Sequence, residues 1–175
     1  LGVVHDVSPS PAVRTDCDEP HGSSTRVAAR VAAPGRTRQP ARMRLGLVSV
    51  LVDDYDEAID FFVRAVGFEL VEDAPAATND GRPKRWVVVR PPQATTGILL
   101  ARADGAHQRA GVGEQFAGRV GLFLDTADAE EFDRTYRRMR EAGVEFLTAP
   151  RTEPYGRVAV WRDLAGNRWD LRGPA

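Results

Sequence analysis

The stretch VLVDDYDEAIDFFVRAVGFELVED, residues 50–73, changes its period twice. Its first residues continue LGLVSVLV (45–52), an apolar, β-branched run that reads as a buried strand. Asp53 and Asp54 follow as helix N-cap candidates. Glu57 stands three residues after Asp54, the spacing of a capping box that satisfies free amides at a helix start. Ala58, Ile59, Phe61, Phe62, Ala65 and Val66 then recur along one helical face, which places both phenylalanines in the core. Gly67 is positioned to end the helix in a left-handed conformation. FELVED (68–73) resumes as a strand, and PAATNDGRPK (75–84) is a turn-rich loop. RWVVVR (85–90) and GILLARA (97–103) are two further strands, divided by Pro91 and Pro92.

The same order is then written again. RVGLFLD (119–125) is a strand, Asp128 an N-cap with Glu131 three residues on, and Phe132, Tyr136 and Met139 the apolar stripe of a helix that Gly143 stops. VEFLTAP (144–150), RVAVWRD (157–163) and RWDLR (168–172) complete the unit as strands, the last two joined by the turn DLAGN (163–167), where Gly166 and Asn167 suit positive φ. Internal repetition of this kind fixes architecture: a βαβββ unit, twice, each helix covering one face of its strands in an α+β fold.

The order and its text resemble the vicinal oxygen chelate superfamily, which includes glyoxalase I, bleomycin-resistance proteins and extradiol dioxygenases. VLVDDYDEAIDFFVRAVGFELVED resembles that family's D-x4-A-x2-F-[YF]…LGF segment. GVEFLTAPRTEPYGRVAVWRDLAGNRWDL (143–171) resembles its closing strand–turn–strand with a D-x-x-G-N turn. The resemblance spans Met43 to Arg172. It implies two βαβββ modules, about 43–103 and 119–173, whose sheets form a curved mixed sheet around a cavity. It also implies a homodimer, for which exposed strand edges give a physical reason.

Strand alternation assigns faces. Val48, Val50 and Val52 are assigned to the helix side, and Leu47, Ser49 and Leu51 to the cavity. In the second module Val120, Leu122 and Leu124 point inward, leaving Arg119, Gly121 and Phe123 to the cavity. Trp169 and Leu171 pack on the helix, with Arg168, Asp170 and Arg172 opposite. Val158 and Val160 are assigned to the core, and Arg157, Ala159 and Trp161 to the cavity. Metal-binding members of the family carry a His, Gln or Glu on each of four strands. Those positions correspond here to Leu47, to Ile98 or Leu100, to Arg119 and to Asp170. Asp170 alone has a metal-ligating side chain, and one carboxylate does not hold a divalent ion. The domain's one histidine, His107, stands alone in a loop.

These readings give a metal-free cavity that binds a small organic anion or aromatic molecule. Arg119 either grips a carboxylate or phosphate or neutralises Asp170. Ser49, Trp86, Phe123 and Trp161 line the cavity, Tyr155 and Glu153 its mouth, and the glycine-rich loop 104–118 is its lid. The alternative is a lyase or dioxygenase of the glyoxalase type using one divalent metal ion, or acid–base chemistry on Asp170 and Glu153.

Composition limits the classes. With 24 basic and 25 acidic side chains, no charge excess points to a nucleic-acid partner. No apolar run is long enough for a membrane span. Cys17 is the one cysteine, which excludes an internal disulfide and fits a reducing cytoplasm. Residues 1–42 are rich in Pro, Ala, Ser and Arg and lack aromatics, so they read as a disordered extension ahead of a domain that starts at Met43. An Arg-rich transit-type segment is the other reading of that stretch.

Overall fold

The computed structural model describes residues 43–174; the extension read as disordered lies outside the described residues. The first module runs β1 (Leu47–Val52), α1 (Tyr55–Asp60) continuing into a π-helical segment (Phe61–Val66), β2 (Glu69–Ala77), β3 (Pro83–Arg90) and β4 (Gly97–Arg102). After a short α2 (Gly105–Ala110), the second runs β5 (Val120–Asp125), α3 (Ala129–Glu141), β6 (Arg151–Glu153), β7 (Gly156–Arg162) and β8 (Arg168–Gly173). Each module is a four-stranded mixed sheet, ordered β1-β4-β3-β2 and β5-β8-β7-β6. The outer pairs β1–β4 and β5–β8 are parallel, and the remaining pairs antiparallel.

The helix signals act where the sequence puts them. Asp54 accepts the Asp56 and Glu57 amides at 2.8 and 3.1 Å, and Asp128 accepts the Glu131 amide at 2.7 Å. Gly67 takes φ 83° at the end of the π-helical segment, where the Phe68 amide bonds back to the Phe62 carbonyl. The two phenylalanines of that segment reach the second module. Phe61 stacks on Trp161 at 6.4 Å between centroids, and Phe62 tilts against Trp169 at 5.9 Å. Trp161 and Trp169 stack on each other at 4.9 Å. The two modules thus share one core, in which Val50, Val52, Phe62, Val87, Leu100, Phe132 and Trp161 are fully buried.

Three expected elements differ. The strand assigned to 144–150 is an irregular run along β7, with one bridge between Phe146 and Trp161. Pro150 has no amide to donate, and the Thr148 hydroxyl rather than a backbone carbonyl accepts the Val160 amide, so regular pairing begins only at Arg151. The loop 75–84 is mostly strand; β2 and β3 extend to a tight turn between Ala77 and Pro83. The segment 104–118 is fastened rather than free. The Gln115 side chain accepts the Leu51 amide at 2.6 Å and donates to the Ser49 carbonyl at 3.0 Å. Phe116 lies over Gly121, where no side chain would fit.

In the DLAGN turn only Gly166 has positive φ, at 105°. Asn167 serves instead through its side chain. The buried Asp163 carboxylate gathers the amides of Ala165, Gly166 and Asn167 on Oδ1. Its Oδ2 accepts from Asn167 Nδ2 and Trp169 Nε1 at 3.1 and 3.0 Å.

Candidate functional site

The free face of the second sheet carries its chemistry in two rows. Phe123, Asp170 and Val160 lie opposite one another across β5, β8 and β7. Asp125, Arg172, Val158 and Arg151 form the next row, which extends to β6. Arg151 donates from Nε to Glu153 Oε1 at 2.7 Å. Arg172 donates from two nitrogens to the two Asp125 oxygens at 2.8 and 3.0 Å, and its guanidinium lies 4.8 Å over the Phe123 ring. Phe123 remains 52% exposed.

Asp170 sits among these groups without a partner. It is half-buried, and its Oδ1 is out of contact with solvent and accepts no hydrogen bond. Burial pushes its carboxyl pKa up, against the opposing attraction of Arg151 and Arg172. Both arginines already hold a carboxylate of their own, so their fields reach Asp170 partly cancelled.

Several sequence assignments change. Trp161 is fully buried on the helix side and stacked on Trp169, so it leaves the set of cavity residues. The whole phase of β7 is reversed: Arg157 pairs with Asp133 of α3 at 2.9 Å, and Ala159 is in the shared core, while Val158 and Val160 share the free face with Arg172 and Asp170. Arg119 precedes β5, is exposed, and makes no ion pair with Asp170 among the described residues; a register shift between Val120 and Leu122 breaks the alternation that would carry it onto the face of Phe123. Phe123 is the residue opposite Asp170. In β4, Ile98 and Leu100 belong to the core cluster, and Leu99, opposite Ser49 and Val88, is on the free face.

The other candidates divide between the two sheets. Glu153 joins Asp170 on the second free face through Arg151, and Tyr155 stands beside it, 67% exposed in the β6–β7 turn. Ser49 and Trp86 are exposed on the first sheet's free face, away from Asp170. Arg151 was not singled out in the sequence. Its two-residue spacing from Glu153 on a strand was the available signal, since it puts opposite charges on one face. A cavity of about 450 Å³ at the seam between the modules, bordered by Phe68, Ile98, Leu122 and Phe123, adjoins this face.

The donor set does not fit the divalent metal centre known in this fold. Of the four positions that the resemblance marks, Leu47, Ile98 or Leu100, Arg119 and Asp170, only Asp170 has a metal-ligating side chain. Among the described residues no three His, Cys, Asp or Glu side chains are grouped to hold a metal ion.

The chain belongs to the Glyoxalase/Bleomycin resistance protein/Dioxygenase superfamily, whose family model matches residues 44–171. An uncharacterized protein of Shewanella frigidimarina is 48% identical over 125 residues, which are 71% of this chain and 88% of that protein. TnmS3, an antibiotic binding protein from Streptomyces sp. CB03234, is 32% identical, with a TM-score of 0.58 over 78% of this chain and all of that one. A superfamily member from Sphaerobacter thermophilus is 27% identical, with a TM-score of 0.57 over 75% of this chain and 98% of that one. No helix among the described residues is long and apolar enough to cross a membrane.

Proposed function

We propose that the chain binds a small organic molecule, in part aromatic, on the free face of its second sheet, and does so without a metal ion. One observation carries this reading: the half-exposed Phe123 ring lies directly beside Asp170, whose buried Oδ1 has no donor. A buried acceptor without a partner costs about 1–3 kcal/mol, and a ligand that brings an N–H or O–H removes that cost. Arg172 covers one side of the Phe123 ring and leaves the rest for stacking. The face does not suit an anion, because its two arginines are paired and Asp170 adds negative charge. Likeness to an antibiotic-binding protein supports the ligand class. The homodimer belongs to the same reading, since a second chain would close a face that one chain leaves open.

The test is calorimetric titration of the full chain with a panel of planar aromatic antibiotics bearing hydroxyl or amine groups. Saturable binding that survives a chelator and falls at least about tenfold in Phe123→Ala and in Asp170→Asn is expected. Binding unchanged in both variants would sink the site. Elemental analysis finding one divalent ion per chain would sink the metal-independent part.

The raised pKa of Asp170 favours a second reading, in which the same carboxylate takes a proton from the bound molecule. Turnover lost in Asp170→Asn with affinity retained would select it over simple binding.

A further inference from the structure

The cavity of about 450 Å³ at the seam between the modules is lined by four consecutive residues of β5, Leu122, Phe123, Leu124 and Asp125. Side chains alternate between the faces of a strand, so four in a row reach one cavity only along the strand's edge. β5 is the end strand of its sheet. The Thr126 amide donates to the Arg172 carbonyl at 2.8 Å, which turns the main-chain groups of Leu122, Leu124 and Thr126 toward β8. Those of Phe123 and Asp125 point the opposite way, to the open edge. Among the described residues no strand, loop or side chain bonds to them. The Asp125 carboxylate is held by Arg172, so Asp125 offers the cavity its main chain.

The facing wall is apolar. Val48, Phe68 and Ile98 contribute side chains, and Pro91 and Pro92 have no amide to donate. The Ala94 amide is returned to the Pro91 carbonyl at 3.1 Å, and the Thr96 hydroxyl donates to the Leu45 carbonyl at 2.8 Å. Apart from the exposed Gln93, no side chain of the lining has a free donor.

The edge of β1 shows what such a strand accepts. There the single side-chain amide of Gln115 accepts the Leu51 N–H at 2.6 Å and donates to the Ser49 carbonyl at 3.0 Å. One amide bridges two residues because a primary amide has an N–H on the same side as its oxygen. A secondary amide in its usual trans form sets the two on opposite sides and cannot. A lactam, whose ring holds the amide cis, can.

We propose that the seam cavity binds a planar ring compound bearing a lactam or a primary carboxamide. Its carbonyl accepts the Asp125 N–H and its own N–H donates to the Phe123 carbonyl, as Gln115 does on β1, while its ring lies against Val48, Phe68 and Ile98. The site uses the main chain of Phe123 where the Asp170 face uses its ring, and it does not rest on the function proposed there.

Titration of the full chain with isoquinolone, a bicyclic lactam, tests it, read by calorimetry and by hydrogen exchange of assigned backbone amides. Saturable binding is expected, with exchange of the Asp125 amide slowed at least about tenfold. The Leu124 amide, already turned to β8, should be unchanged. N-methylisoquinolone, which has no N–H to donate, should bind at least about tenfold more weakly. Ala94→Trp fills the cavity from the β3–β4 turn and should abolish binding, and an unchanged melting temperature would show that it folds. Absence of saturable binding, unchanged Asp125 exchange at saturation, or equal affinity for N-methylisoquinolone overturns the proposal, whether or not Ala94→Trp folds. Asp170→Asn is expected to leave the protection at Asp125 intact. Binding lost in that variant, with Asp125 exchange unchanged in the parent chain, would put the probe on the Asp170 face and overturn the seam site. Naphthamide in place of isoquinolone separates carboxamides from lactams.

Discussion

Asp163 and Asp170 stand seven residues apart and meet opposite conditions. Asp163 is buried, and each of its oxygens accepts at least two hydrogen bonds, from its own turn and from Trp169 of β8. Its replacement by Ala strands three backbone amides and the Trp169 indole N–H, so Asp163→Ala should lose about 3 kcal/mol or more in urea unfolding. Asp170 has the reverse character. Its folded-state pKa is raised, so the folded chain binds this proton more tightly than the unfolded chain does. Its contribution to stability is full below the ordinary aspartate value of 3.8 and is lost as pH rises through the folded-state pKa. Asp170→Asn should therefore raise the melting temperature at neutral pH, with the gain vanishing in acid below that ordinary value. A gain that persists unchanged in acid would refute desolvation as its cause. Asp170 on this account weakens the fold in exchange for a reactive position, a trade common at binding and catalytic groups.

At the scale of elements, what the sequence discloses depends on contrast along each strand. β1 was assigned to faces correctly because serine interrupts its apolar run, and α3 because its apolar stripe is framed by charge. In β7 every residue from Val158 to Trp161 is apolar, so alternation carries no phase. The phase is set by register against β8, where Trp161 meets Trp169. β4 fails for the same reason, through Ile98, Leu99 and Leu100. Arg119 was misplaced because nothing in RVGLFLD announces the register shift between Val120 and Leu122, which breaks the alternation counted back from Phe123. The β7 phase makes a plain prediction. Trp161→Ala should cost about 3–5 kcal/mol. Val160→Thr, on the free face, should cost under about 1 kcal/mol. Equal costs in denaturant unfolding would contradict the arrangement.

Over the whole molecule, the doubled βαβββ order was legible because capping signals and glycine stops recur in both halves. The sites were less so. Phe123, Asp170 and Glu153 could be singled out, but their grouping around Arg151 and Arg172 arises from pairing between distant strands. The proposed homodimer is likewise a property of the whole. Leu47, Trp86 and Phe123 are 38%, 37% and 52% exposed, and a second chain would cover them. Light scattering should give twice the chain mass, and Phe123→Glu should shift the molecule toward one chain. A chain mass that stays single at all concentrations would remove the pairing from the proposal.

Gln115 is the feature with the widest consequence. Its amide offers one acceptor and one donor at the spacing of a neighbouring backbone, and it occupies the Leu51 amide and the Ser49 carbonyl on the outer side of β1. A strand so occupied at its middle offers another chain no continuous edge to zip onto. The protein is thereby guarded against its own copies along an edge that would otherwise invite endless addition. Gln115→Leu would reopen Ser49 and Leu51 to any extended segment. The cost of that change should be read less in melting temperature than in turbidity over time, rising with concentration, from a protein that still folds.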